Sequence, residues 1–86
     1  MISMCMFLST AKRICKTVDE ERLKRYYRGY GHLSSKNIMC ASILWVFMNS
    51  DPDASSIGLK ELAELYGTTI HTICKYTKII IKGEKL

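Results

Sequence analysis

The stretch that leaves this chain least freedom is "IMCASILWVFM", residues 38–48, in which Ser42 is the only polar side chain. A helix that is apolar all round has no face to offer water, so it is buried all round. The segment is therefore expected to be a central rod with the other elements packed about it. Ser34 or Ser35 can cap its start. Ala41 and Ser42 are small enough to let a neighbouring helix come close, and Trp45 needs either a partner for its N–H or a place near the rim. Eleven residues fall well short of the ~20 that a membrane span requires. The N-terminal "MISMCMFLSTAKR" has no positive charge ahead of its apolar run and no small-residue cleavage site, so no signal peptide is expected. The expected location is intracellular, in the cytoplasm or nucleoid, with no membrane partner.

The remaining breakers cluster at residues 29–35, at 49–58 around the single proline, Pro52, and at Gly67. They divide the chain into helical pieces. A first helix over residues 2–16 carries Met4, Phe7, Leu8, Ala11, Ile14 and Cys15 on one stripe, with Lys12, Arg13 and Lys16 off it near the C-terminal end. A second helix, capped by Thr17 or Asp19, carries Leu23, Tyr26, Tyr27 and Tyr30, with Arg22, Lys24, Arg25 and Arg28 around them. A fourth begins at Gly58 or Leu59, with Glu61 where a capping-box acid sits, and turns Leu62, Ala63 and Tyr66 inward. Gly67 ends it in a left-handed turn. A fifth begins at Thr68 or Thr69 and buries Ile70, Ile73, Tyr76 or Thr77, and Ile80. A winged helix would need a strand hairpin after this last helix, and only one short β-prone run, residues 79–81, is left for it. The expectation is a single all-α domain over residues 1–86: a five-helix orthogonal bundle with a central buried helix and a C-terminal helix-turn-helix. A chain of this size buries only about 60% of its unfolded surface, so it must pack well or lean on a partner.

With hydrophobic residues at 48% and charged residues at 24%, the chain is globular rather than disordered. A net charge of +5 permits contact with nucleic acid or an acidic surface without requiring it. Cys5, Cys15, Cys40 and Cys74 form no C-x-x-C pair and are not spaced with His32 or His71, which argues against a zinc site. They read as small apolar core residues, a disulfide remaining open in a hyperthermophilic setting. No Ser-His-Asp or Cys-His set and no phosphate loop is present, and Asp51 and Asp53 sit in a loop without partners. His71 stands three residues before Cys74, but a nucleophile of that kind also needs an orienting third group. Neither an enzyme nor a cofactor is expected.

The functional signal lies in "LKELAELYGTTIHTICKYTKI", residues 59–79. A DNA-reading helix-turn-helix needs a small residue inside its first helix, glycine in the turn four residues later, and a β-branched residue six beyond that to dock the second helix. Ala63, Gly67 and Ile73 stand at those places. Thr69, His71, Thr72, Lys75, Lys78 and Lys82 then face out. The first three are placed to meet base edges, and the lysines to neutralise phosphates. The helix has no Arg, Asn or Gln, the strongest bidentate readers of guanine and adenine, so sequence discrimination is expected to be modest. Such a protein can dimerise to cover two half-sites.

From Val18 onward the order of a charged amphipathic helix, "KNIMCASILWVFM", a loop and "SIGLKELAELYGTTIHTICKYTKII" resembles one cyclin-box repeat of the transcription initiation factor B family. Lys60, Glu61, Leu62, Ala63, Glu64, Gly67, Thr69, Thr72, Ile73 and Lys78 match or nearly match the family's last two helices. The resemblance covers residues 34–81 closely and the first two helices in pattern alone. It implies a five-helix cyclin fold whose last two helices contact promoter DNA through the positions of Gly67, Thr69, Thr72, Cys74 and Lys75. It also implies the TATA-binding protein or RNA polymerase as protein partners. The sequence departs from the family at Gly58 for a capping Thr, Thr68 for a turn Val, and Cys74 for an Arg that would contact DNA. Zinc ribbon, polymerase linker and second repeat are missing from this sequence. The expected function is a small DNA-binding transcription regulator, a stripped-down relative of that family. The alternative is a cyclin-box interaction module that binds transcription proteins through Trp45, Phe47 or the tyrosines of the second helix without reading DNA.

Overall fold

The computed structural model describes residues 3–15, 19–30, 32–50 and 57–84. The possible cap Thr17, the helix ends at Ile2 and Lys16, and the loop acids Asp51 and Asp53 lie outside them. The described residues form five helices and no strand: α1 (Met4–Ile14), α2 (Glu20–Tyr30), α3 (Lys36–Ser50), α4 (Leu59–Tyr66) and α5 (Ile70–Glu84).

Each start has a local chemical cause. The Ser3 hydroxyl accepts from the Met6 N–H at 3.2 Å, the Asp19 carboxylate from Glu21 and Arg22 N–H at 3.1 and 3.3 Å, and the Ser35 hydroxyl from Ile38 N–H at 3.3 Å. These side chains satisfy amide groups that the first turn of a helix leaves without partners. Gly58, at the head of α4, provides no side-chain cap. At the other end of the chain α5 runs straight through the β-prone residues 79–81 to Glu84, so the run is the end of a helix and not a wing.

Helix α3 is the rod around which the rest is built, packing against α5, α4 and α2. Residues 39–44 and 46–48 are all buried, and Trp45 sits half-buried at the rim. The single polar residue of the run, Ser42, is fully enclosed, and its hydroxyl donates to the Ile38 carbonyl at 2.8 Å, which removes the cost of burying it. The radius of gyration is 11.4 Å, against about 12 Å for a single folded body of this length.

Aromatic contacts join α1 and α2 to this rod. Phe7 of α1 stacks on Tyr27 of α2 at 5.6 Å between ring centroids, and Tyr26 meets Phe47 of α3 at 5.1 Å. The Arg22 guanidinium lies 4.8 Å from the Phe47 centroid and 5.5 Å from that of Tyr26, and donates to the Tyr26 hydroxyl at 3.3 Å. Lys36 covers Tyr27 at 4.5 Å. At the far end of α2, the Tyr30 side chain reaches α5 at Gly83, where a Cβ would come within 2.8 Å of its hydroxyl.

The sequence expectations change for Ile70 and for two of the cysteines, and one alternative is settled. Ile70, expected inside, is 44% exposed. Between Tyr76 and Thr77 it is Thr77 that is buried, with Tyr76 half-buried beside it. Among the cysteines, all free, Cys15 and Cys40 are core residues, Cys74 is half-buried and Cys5 is exposed. Burial pushes the Cys40 thiol up to about 12. It also raises the phenol of Tyr66, with Cys40 adding to the effect. The Tyr66 and Thr77 hydroxyls are buried without a hydrogen-bond partner among the described residues.

Candidate nucleic-acid interface

The interface is built from the turn between α4 and α5. Gly67 adopts φ 65° and ψ 38°, the left-handed conformation that costs a residue with a Cβ about 1 kcal/mol. No atom lies within 4 Å of where its Cβ would be, so the backbone angle, not crowding, calls for glycine. The Gly67 N–H reaches the Glu64 carbonyl at 3.3 Å and the Thr68 N–H the Ala63 carbonyl at 2.9 Å. These two bonds close α4 in the paired pattern typical of a glycine C-cap and turn the chain at once into α5.

Thr69 is the N-cap of α5. Its hydroxyl accepts the Thr72 N–H at 3.2 Å and lies 2.8 Å from the Thr72 hydroxyl. Two residues expected to touch bases are thus engaged with each other and with the helix start. Thr69 is exposed, and Thr72 is half-buried.

Ile73 and Ile80, both fully buried, and Thr77 anchor one face of α5. At 100° per residue, the opposite face carries His71, Lys75, Lys78 and Lys82, and all four are exposed. Their spacing of four, three and four keeps them in one line along the helix. His71, Cys74, Lys75 and Lys78 line a shallow open depression of about 360 Å³. Lys82 extends the line one turn further, and Gly67 lies in the turn ahead of it. No Asp or Glu occurs over residues 65–83, and among the described residues none of the three lysines makes an ion pair. The Lys75 ammonium lies 5.7 Å from the ring of its neighbour Tyr76 and is otherwise open.

Three lysines in one line, with no acid over residues 65–83, make a positive field that an anionic polymer can follow. Among the described residues no group of three or more His, Cys, Asp and Glu could hold a metal ion. No described helix is long and apolar enough to cross a membrane. Comparison with models of known protein families, with curated proteins and with solved structures returns no match.

Proposed function

We propose that this protein is a small DNA-binding regulator that holds duplex DNA through α5, as a relative of the transcription initiation factor B family. The observation that carries the reading is the line of His71, Lys75, Lys78 and Lys82 opposite the buried face of α5, with no ion pair to its lysines among the described residues and no acid in the sequence from residue 65 to 83. The short glycine turn after α4 supports it, since it presents α5 as the second helix of a helix-turn-helix. The lysines neutralise phosphates, and each neutralised phosphate adds about 0.9 to the slope of log affinity against log salt.

The test is fluorescence anisotropy with a labelled duplex at two salt concentrations, on the wild type and on Lys75→Glu with Lys78→Glu. Wild-type binding should weaken steeply with salt. The double variant should lose binding by at least a hundredfold while its thermal unfolding stays within a few degrees of wild type. Absence of wild-type binding at low salt would sink the reading. The second reading, a module that binds transcription proteins such as the TATA-binding protein or RNA polymerase, is favoured by the exposed Leu65 and Ile81. Binding of that kind would persist at high salt, because apolar contact is not screened.

A further inference from the structure

Helix α4 carries a grouping of residues that its own chain leaves open. Leu65, in its last turn, is 47% exposed, and exposure alone does not single it out. Its neighbours do. Glu61 stands one turn before it and Glu64 directly beside it in sequence. Both are exposed, and neither makes an ion pair among the described residues. Lys60, the remaining charged residue of the helix, lies about 140° around from Leu65. The result is an apolar knob with acids on one side. Across the turn, α5 offers the converse: an open depression of about 360 Å³ with Cys74 in its wall beside His71, Lys75 and Lys78.

We infer that this depression receives Leu65 and its two acids from a second copy of the chain. Leu65 is exposed, so the depression of its own chain does not hold it. Leu65 lies in the last turn of α4 and His71 in the first turn of α5, so knob and depression flank the same short link around Gly67. A two-fold axis beside that link lets each copy fill the other's depression at once, which closes the assembly at two. Each contact sets two carboxylates against two lysines and His71, with one leucine between them. The net charge of +5 makes two copies repel as wholes. That repulsion is screened beyond about 8 Å at physiological salt, whereas the contacts between acids and lysines are closer than that. The contact stands apart from the DNA-binding reading, and only its consequence rests on it. The dimer covers Lys75 and Lys78, so a paired chain is shut off from duplex DNA, and DNA competes with the second copy for α5.

The experiment is sedimentation velocity without DNA, at physiological salt, from low micromolar to near-millimolar protein. The proteins are the wild type, Leu65→Ser, an acid-reversed variant (Glu61→Lys with Glu64→Lys) and a base-reversed variant (Lys75→Glu with Lys78→Glu). Far-ultraviolet circular dichroism checks that each is folded. Glu61 lies in the first turn of α4, and if its reversal unfolds the helix, Glu64→Lys alone takes the place of the pair. The wild type should pass from monomer to dimer as concentration rises. Each reversed variant should associate at least tenfold more weakly, because like charges then face each other. An equimolar mixture of the two should dimerise again, since each carries the charge the other needs. Leu65→Ser should weaken association by about tenfold. A wild type that stays monomeric overturns the assignment. So do dimers that survive both reversals, a mixture that fails to associate, or a Leu65→Ser that dimerises like the wild type. None of these outcomes touches the DNA reading, which stands or falls on duplex binding.

Discussion

Helices α2 and α5 are both basic and both amphipathic, and the structure uses them in opposite ways. Helix α2 turns two of its four cations to partners within the molecule. Arg22 lies over Phe47 and Tyr26, and Lys24 is held by Glu20 and Glu21 at 3.6 Å. Lys12 of α1 reaches Glu20 at 2.9 Å, which ties the first two helices together. Arg25 and Arg28 stay exposed, but Glu20 and Glu21 share their helix. Helix α5 has no acid until its last turn and no ion pair among the described residues. A run of basic residues therefore says little about function until its partners are counted. Of the interleaved Arg and Tyr in α2, Arg22 forms a cation–aromatic joint with Tyr26 and Phe47, whereas the lysines of α5 make no ion pair among the described residues.

The largest effect should separate the two faces of α5 itself. Ile73→Ala removes a fully buried side chain and should cost about 2–5 kcal/mol in urea unfolding. The charge reversals at Lys75 and Lys78 should leave stability nearly unchanged. If the reversals unfold the protein, the lysine face is structural and the contrast with α2 fails. Next comes Arg22→Ala, which loses two ring contacts and the bond to the Tyr26 hydroxyl. It should cost about 1–2 kcal/mol of stability and leave duplex affinity within twofold of wild type. A large loss of affinity with no loss of stability would move α2 into the interface.

The smallest effect is electrostatic. Lys12, by hydrogen bond and charge, holds the Glu20 carboxyl below its ordinary value of 4.5, with Lys24 adding to it. A carboxylate whose folded value is depressed stabilises the fold at pH above 4.5, and that contribution disappears as pH falls through the folded value. Thermal unfolding from pH 6 to pH 3 should therefore decline slightly less steeply in Glu20→Gln than in wild type. Identical profiles would mean that the exposed bridges contribute nothing measurable.

Much of this was legible in the residues because the deciding interactions are local. An uninterrupted apolar run has only one way to avoid water, which makes α3 central. Asp19, Ser35 and Thr69 cap the residues that follow them, and Gly67 takes a backbone angle that other residues avoid. Of the residues expected to touch DNA, His71, Cys74, Lys75 and Lys78 line one depression. What periodicity does not hold is the width and rotation of the buried arc. Both Ile70 and Thr77 lie within about 60° of Ile73 on the helix circumference, yet the isoleucine is exposed and the threonine enclosed.

The sequence by itself determined that the chain is all-helical, where its helices begin and turn, and which of them is enclosed. These follow from backbone hydrogen bonding within a few residues and from the apolar character of single segments. The tertiary structure alone decided that Ile70 stays in water, that Thr77 is taken into the core with its hydroxyl unpaired, and which cations are neutralised. Those outcomes depend on where a neighbouring helix ends and which charge it brings. Both are properties of pairs of residues far apart in the chain.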